Sequence, residues 1–453
     1  MPKSHNIASV LDDGAWAPYQ KFVLALAALA FLMDGVANQA LGLAVPSLMS
    51  EWGLPRDSFA SVTAIGLIGL TVGAVAGGVL GDRYGRRIML VGSVLLFGVM
   101  TLAASAAGNI TTLFWLRLFD GLGIGAAIPN GAAIISEFTP LRKRPLAIAI
   151  GMVFIAIGSV FAGLVATAVL PALGWSGLFL VLGLAPIAIG VLFLLVLPES
   201  PIYLARHPHR KPHLLKVMGK CGLPLDPEAE IALPNTGPKK KTPLSALFQS
   251  DVRFSTIALW IAFFFCLLAS YSMFSWVPAM LASLGFPLSM TSLGMTAFSA
   301  GGVVGGVLGG WLIEKFGSKP SVLGQSAGGV CAALLLGGLI LTGYDSEAIL
   351  FSALAFEGFF LSGLLNGLYT LSAFIYPDFA RATGVGAAAA VGRIGAIASS
   401  YTGVIALEMG GASNYFLVIA ISIAITFFGL VAVRSHIPAS TPSEGRKQSV
   451  PAE

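Results

Sequence analysis

Gly78-Val79-Leu80-Gly81-Asp82-Arg83-Tyr84-Gly85-Arg86-Arg87 closes one apolar run of the chain, and Gly310-Trp311-Leu312-Ile313-Glu314-Lys315-Phe316-Gly317-Ser318-Lys319 closes another, 232 residues further on. Each sets a carboxylate beside a basic residue, then a glycine, then more positive charge. Glycines a helical turn apart lead into both: Gly69, Gly73, Gly77 and Gly78 fall in register with Gly301, Gly305, Gly309 and Gly310. Small residues at that spacing let helices approach closely where the solvent is lipid. Pro46 and Gly53 match Pro278 and Gly285 at the same offset. A second register, at an offset of 237, pairs Asp120-Gly121 with Glu357-Gly358, Pro140 with Pro377 and Arg144 with Arg381. The chain is an internal repeat, and its halves predict two related folding units.

Composition says where those units sit. Of 453 residues, 56% are hydrophobic and 10% charged, with a mean hydropathy of +0.87, which is outside the range of soluble domains and predicts an all-α integral membrane protein. The 55 glycines are about 12% of the chain, against a usual ~7%. Nucleic acid is excluded as a partner; the lipid bilayer is the expected one. Cys221, Cys266 and Cys331 lie far apart, so neither a disulfide framework nor a metal spacing is present, and no cofactor is expected.

Twelve apolar spans are long enough to cross the roughly 30 Å hydrocarbon layer. They run approximately over 22–47, 59–81, 88–107, 113–135, 145–170 and 176–197, then 254–279, 290–313, 321–342, 348–375, 384–407 and 413–433. Between the sixth and seventh, residues 198–253 are rich in Pro, Lys, Arg and His, including Lys239, Lys240 and Lys241, and read as a solvated linker. The organisation is therefore a six-helix bundle over 1–197, a linker over 198–253, and a second bundle with a short tail over 254–453. Residues 1–21 lack the pattern of a cleavable signal, so the first span is expected to stay. With both termini cytoplasmic, 23 of the 26 Lys and Arg residues fall in cytoplasmic segments, Arg56 alone falls outside, and Arg117 and Arg393 lie within spans. The reverse orientation would oppose the positive-inside rule in nearly every loop. Duplicated six-span halves suit alternating access, in which one bundle rocks against the other around a site near the midplane.

The two glycine-acid-base turns resemble the signature loop of the major facilitator superfamily, present here in both halves. On that resemblance Asp82, Arg83, Arg86, Arg87, Glu314 and Lys315 are gating residues, a charge cluster at the rim that differs between open states. A finer resemblance, to the aromatic acid:proton symporter family, rests on Leu32-Met33-Asp34-Gly35 followed by Gly42 and Pro46; on Pro129-Asn130 with Ser136-Glu137-Phe138-Thr139-Pro140; on Leu197-Pro198-Glu199-Ser200; on Ser275-Trp276-Val277-Pro278; and on Gly392-Arg393-Ile394-Gly395. It implies the twelve-helix major facilitator fold, a cell inner-membrane location, a monomer, and uptake of a small aromatic anion with protons. The family's second helix-1 aspartate is replaced by Ala37, and Asp120 stands where a small neutral residue is expected.

Five ionisable residues lie inside spans: Asp34, Arg117, Asp120, Glu357 and Arg393. A charge at such depth costs a few kcal/mol and usually pairs, lines water or works. Arg393 has no acid within a turn, so it meets an anionic ligand through its planar fork or an ion-pair partner in Asp34 or Glu357. Arg117 and Asp120 are three apart and can neutralise each other; the alternative is that an arriving substrate draws Arg117 away and frees Asp120 to take a proton in place of the missing aspartate. Asp34, with Asn38 a turn on toward the same central cavity and Gln39 adjacent, is the proton-carrier candidate, because a carboxyl in low dielectric is protonated more readily than in water, and Asn38 and Gln39 are candidates for binding substrate. Glu357, the repeat equivalent of Asp120, either binds Arg393 or lines the cavity. Tyr271, Ser275, Trp276 and Tyr369 are candidates for holding an aromatic ring. All five histidines lie in cytoplasmic segments, so coupling relies on carboxylates. The leading expectation is secondary uptake of an organic, aromatic carboxylate with protons. Drug or metabolite efflux and a non-transporting receptor of the same fold stand as alternatives, and no nucleophile or phosphate motif suggests an enzyme.

Overall fold

The computed structural model describes residues 4–226, 230–232, 247–248, 252–343, 346–376 and 380–439. It is almost wholly helical: α1 (Ile7–Asp13), α2 (Pro18–Trp52), α3 (Arg56–Tyr84), α4 (Arg86–Ala104), α5 (Ile110–Phe138), α6 (Arg144–Val196), α7 (Pro201–Ala205), α8 (Lys211–Lys220), α9 (Arg253–Ser283), α10 (Leu288–Phe316), α11 (Ser318–Leu341), α12 (Glu347–Ile375) and α13 (Arg381–Ala432). A short parallel pair, β1 (Ser4–Asn6) with β2 (Glu230–Ala232), ties the N-terminal segment to the linker.

Ten of these helices are long and apolar enough to cross a membrane. Two do so twice. The α6 helix has 53 residues and α13 has 52, more than double the ~20 needed. Each is broken near its middle where glycine leaves helical geometry, at Gly174 (φ 63°) in α6 and at Gly410 and Gly411 (φ 66° at the latter) in α13. The breaks fall where the hydropathy pattern separates the fifth span from the sixth and the eleventh from the twelfth, so the chain forms twelve spans. Helices α2 to α6 pack among themselves, as do α9 to α13.

Close helix crossings use the glycines. Gly35 of α2 and Gly158 of α6 each lie against the other helix's backbone, and a Cβ at either would overlap a carbonyl of Ile155 or Leu32. The two signature turns need positive φ, 113° at Gly85 and 84° at Gly317, a region L side chains avoid.

The linker differs from the solvated loop expected of it. Its first part folds as α7 and α8, which bury Tyr203, Leu204, Leu214, Val217 and Met218. Apolar residues at helical spacing in a Pro- and His-rich segment produce this. Helix α1 packs beside α7, and Asp12 pairs with Arg144 at the start of α6, 2.6 Å apart. Lys239, Lys240, Lys241 and Pro377 lie outside the described residues.

Both described chain ends, the linker helices and both signature turns share one face of the molecule, here called the basic face. Contacts between the bundles gather in the half away from it. Gly42 of α2 rests on the backbone of Phe274 and Ser275 in α9, and Gly163 of α6 on Thr296 and Ser292 of α10. The side chain of Gln39 in α2 donates to Ser299 Oγ in α10 at 3.5 Å.

Candidate functional site

Asp34 sits midway along α2, 0% exposed. Its Oδ1 accepts from Asn38 Nδ2 at 3.2 Å, one turn on in the same helix, while Oδ2 is buried without a hydrogen-bond partner. Asn38 is exposed and Gln39 buried, because consecutive residues on a helix point about 100° apart. Gln39 turns its amide toward Ser299 of the other bundle and leaves Oε1 unpaired.

Arg393 reaches toward the same region from α13. It lies just over three turns into that helix, beyond a run of glycine and alanine that keeps its surroundings narrow in side chain. Its Nη1 donates to the Tyr271 hydroxyl of α9 at 3.1 Å, and the residue is half-buried. No ion pair within 4 Å joins it to Asp34 or Glu357, although Asp34 and Arg393 feel each other's charge across the gap between bundles. Tyr369 of α12 belongs to the same cluster, acting electrostatically on Arg393 and standing edge-on to Phe263 with centroids 5.1 Å apart. Tyr271 in turn lies edge-on to Phe274, and Phe274 to Phe298. The outcome is a guanidinium held by one tyrosine, flanked by rings, opposite a buried carboxyl with one unpaired oxygen. Such a pair can bind an anion on one side and a proton on the other.

The remaining sequence candidates fall elsewhere. Ser275 is half-buried beside Gly42 at the bundle contact. Trp276, expected to help hold a ring, is wholly buried and packs under Gly403 of α13, so it supports α9 instead of lining a cavity. Glu357, expected either to bind Arg393 or to line the cavity, makes no ion pair with Arg393 within 4 Å; it is 0% exposed, both carboxyl oxygens lack a hydrogen-bond partner, and its charge acts on Tyr415 of α13. The repeat carried its position but not its partner, since Leu354 stands where Arg117 stands in the first half.

Arg117 and Asp120 form a short ion pair on one face of α5. Thr101 of α4 donates to Asp120 Oδ1 at 3.0 Å, and the guanidinium lies over the Phe179 ring of α6, 5.5 Å from its centre. The pair thus points into the packing among α4, α5 and α6, and Arg117 leaves Nε and Nη2 without partners there. A cavity of 460 Å³ lies at the far end of the bundles, lined by Pro46, Ser47, Ser50, Glu51, Ala282 and Leu288, away from Arg393.

At the basic face the first signature turn is a closed network. Arg86 pairs with Asp82 at 2.5 Å and approaches Glu137 at 3.6 Å; Ser200 donates to Glu137 through its hydroxyl. Glu199 Oε1 accepts the backbone N–H of Arg87 at 3.1 Å and of Ser200 at 2.9 Å, capping the start of α4. Arg87 Nη2 donates to the Leu194 carbonyl at 2.6 Å, whereas Arg83 is exposed over the Tyr84 ring. In the second turn Lys315 covers Trp311 and Phe316, and Glu314 is exposed. The roles of Glu137, Glu199 and Ser200 were missed in the sequence. A carboxylate just past the fourth apolar span, Glu137, and another just past the sixth, Glu199, were the available signal.

The sequence pattern of the Major Facilitator Superfamily matches residues 27–293 and again 259–452. The chain is 31% identical to the gallate transporter of Pseudomonas putida, over 99% of this chain and 97% of that protein. It is 32% identical to the 4-hydroxybenzoate transporter of Pseudomonas aeruginosa, over 89% of this chain and 90% of that one. Among solved structures it is similar to the xylose transporter of E. coli in an inward open conformation, with a TM-score of 0.71 at 18% identity, covering 94% of this chain and 98% of the other. That likeness is one of fold.

Proposed function

The chain belongs to the major facilitator superfamily, and from that premise we propose that it takes up a small aromatic carboxylate together with protons by alternating access. The observation that carries this reading is Arg393: a half-buried guanidinium inside a span, held by Tyr271 and, among the described residues, with no carboxylate paired to it within 4 Å. A planar fork of this kind suits a carboxylate through two parallel hydrogen bonds. The relatives named for gallate and 4-hydroxybenzoate support an aromatic acid as its partner, and Tyr271, Phe274 and Tyr369 supply ring edges and faces next to the fork.

In this reading the substrate carboxylate binds Arg393 and the ring lies among those aromatics. Asp34 takes up the coupled proton at its unpaired oxygen, with Asn38 holding the other. Bundles 1–197 and 254–453 are the two moving bodies. The basic face is cytoplasmic, both termini lie inside, and the location is the cell inner membrane. The gathering of bundle contacts in the half away from that face supports an inward-facing state. The protein works as a monomer, and its activity is transport, not catalysis.

The test is uptake by the purified protein in liposomes under an inward proton gradient. Labelled benzoate-type acids are expected to accumulate and to be displaced by hydroxylated benzoates but not by sugars or cationic drugs. Accumulation of a sugar or a cation in preference to aromatic acids overturns the proposal.

A further inference from the structure

The segment leaving α13 folds back under the second signature turn and is clasped there. Ser318 donates its backbone N–H to the Ile437 carbonyl at 2.9 Å, and Ile437 returns its own N–H to Ser318 Oγ at 2.8 Å. His436 closes the ring, with Nδ1 3.3 Å from Ser318 Oγ and Nε2 3.1 Å from the Val433 carbonyl. The partners dictate the tautomer: a carbonyl only accepts, so Nε2 carries the hydrogen and Nδ1 accepts from the Ser318 hydroxyl. Every group is then satisfied, and only with a neutral ring. Ser318 is wholly buried, and a Cβ at Gly317 would press on the backbone of Ile437 at 2.9 Å and of Ala439 at 3.0 Å. The clasp is a packed feature of the fold.

Its counterpart in the first half is made differently. There Glu199, three residues past α6, binds the start of α4. In the second half His436, four residues past α13, binds the start of α11. The histidine version contains an imidazole, whose ordinary pKa lies near neutrality.

We propose that His436 makes this second clasp a pH-released latch, closed at neutral pH and opened by acid. Protonation puts a hydrogen on Nδ1 where the Ser318 hydroxyl now donates. It also sets a cation beside Lys319 and the N-terminus of α11, whose dipole is positive. The other groups facing the ring are the carbonyls of Val433 and Leu430 at the end of α13, which favour the cation. Arg434, its neighbour, stacks over Phe254 of α9 with its guanidinium 5.0 Å from the ring centre. Burial first, and Lys319 after it, outweigh the carbonyls and hold the imidazole below its ordinary value of 6.5. A depressed histidine stabilises the clasp fully above 6.5, and that contribution is lost as pH falls from there to the folded-state value. On the orientation proposed above, the latch faces the cytosol, where a cotransported proton arrives; its placement rests on that reading and its chemistry does not.

Amide hydrogen exchange of the full chain in lipid nanodiscs tests it, read on peptides covering 318–321 and 433–439 between about pH 8 and about pH 5 and corrected for the intrinsic exchange rate. Wild-type protection in both peptides is expected to fall below neutrality by up to about tenfold per pH unit. His436→Gln, which keeps a donor but cannot titrate, is expected to show a flat profile. Ser318→Ala is expected to lose protection at every pH while keeping the thermal melting temperature. Wild-type protection that stays flat across the range, or His436→Gln falling in parallel with it, overturns the latch.

Discussion

Arg393 and Asp34 lie on different bundles, near enough to feel each other's charge but with no ion pair within 4 Å between them, and on the proposed reading that leaves each free for a partner. A guanidinium already locked to a carboxylate would have nothing left for a ligand. Here it rests on a tyrosine hydroxyl, a contact to a charged group worth about 1.5–3 kcal/mol net that a bidentate carboxylate can displace. Arg393→Ala is expected to abolish aromatic-acid uptake in liposomes while insertion and melting temperature stay unchanged. Arg393→Lys keeps the charge but loses the planar fork, and is expected to raise the apparent KM by roughly tenfold. Unchanged uptake in the alanine variant sinks the assignment. The candidacy of Arg393 and Asp34 was legible in the sequence because a charge inside an apolar span is rare. The hydrogen bond to Tyr271 was not, since it joins residues 122 apart on different helices.

Helix α5 carries a different kind of charge. The three-residue spacing of Arg117 and Asp120 announced the ion pair, and the structure adds Thr101 and Phe179 from α4 and α6. Breaking one side of a buried pair costs about 3–5 kcal/mol, whereas replacing both with apolar residues is often neutral. Asp120→Leu is therefore expected to destabilise the purified protein strongly, and Arg117→Leu with Asp120→Leu to recover most of the loss, as read by thermal or denaturant unfolding in detergent. A double variant as unstable as the single one would assign Asp120 a role beyond neutralising Arg117. Glu357 shows where the repeat misleads. Duplication preserved a carboxylate at an equivalent depth, but the neighbouring cation became Leu354, so position alone did not reveal its surroundings. Trp276 failed for a related reason: in a chain this apolar, a helix-facing ring packs against glycine as readily as against a cavity.

At the scale of the whole molecule, hydropathy and the twice-written turn were enough for the fold. The twelve spans and the breaks at Gly174 and Gly410-Gly411 follow from local chemistry. The cap of the first turn by Glu199, the latch of the second by His436, and the meeting of Gln39 with Ser299 between bundles depend on contacts between distant segments, which composition and periodicity do not encode. On the proposed reading, alternating access asks two bundles to share one pair of opposite charges and to have them compensated in turn by anion and proton.

The most direct measurement compares two modes of transport in Asp34→Asn liposomes: exchange of labelled for unlabelled aromatic acid at equal pH on both sides, and accumulation driven by an inward proton gradient. Exchange should persist, because Arg393 still binds the carboxylate, while gradient-driven accumulation disappears. Accumulation that survives at the wild-type level would contradict the account and place the coupled proton on another group.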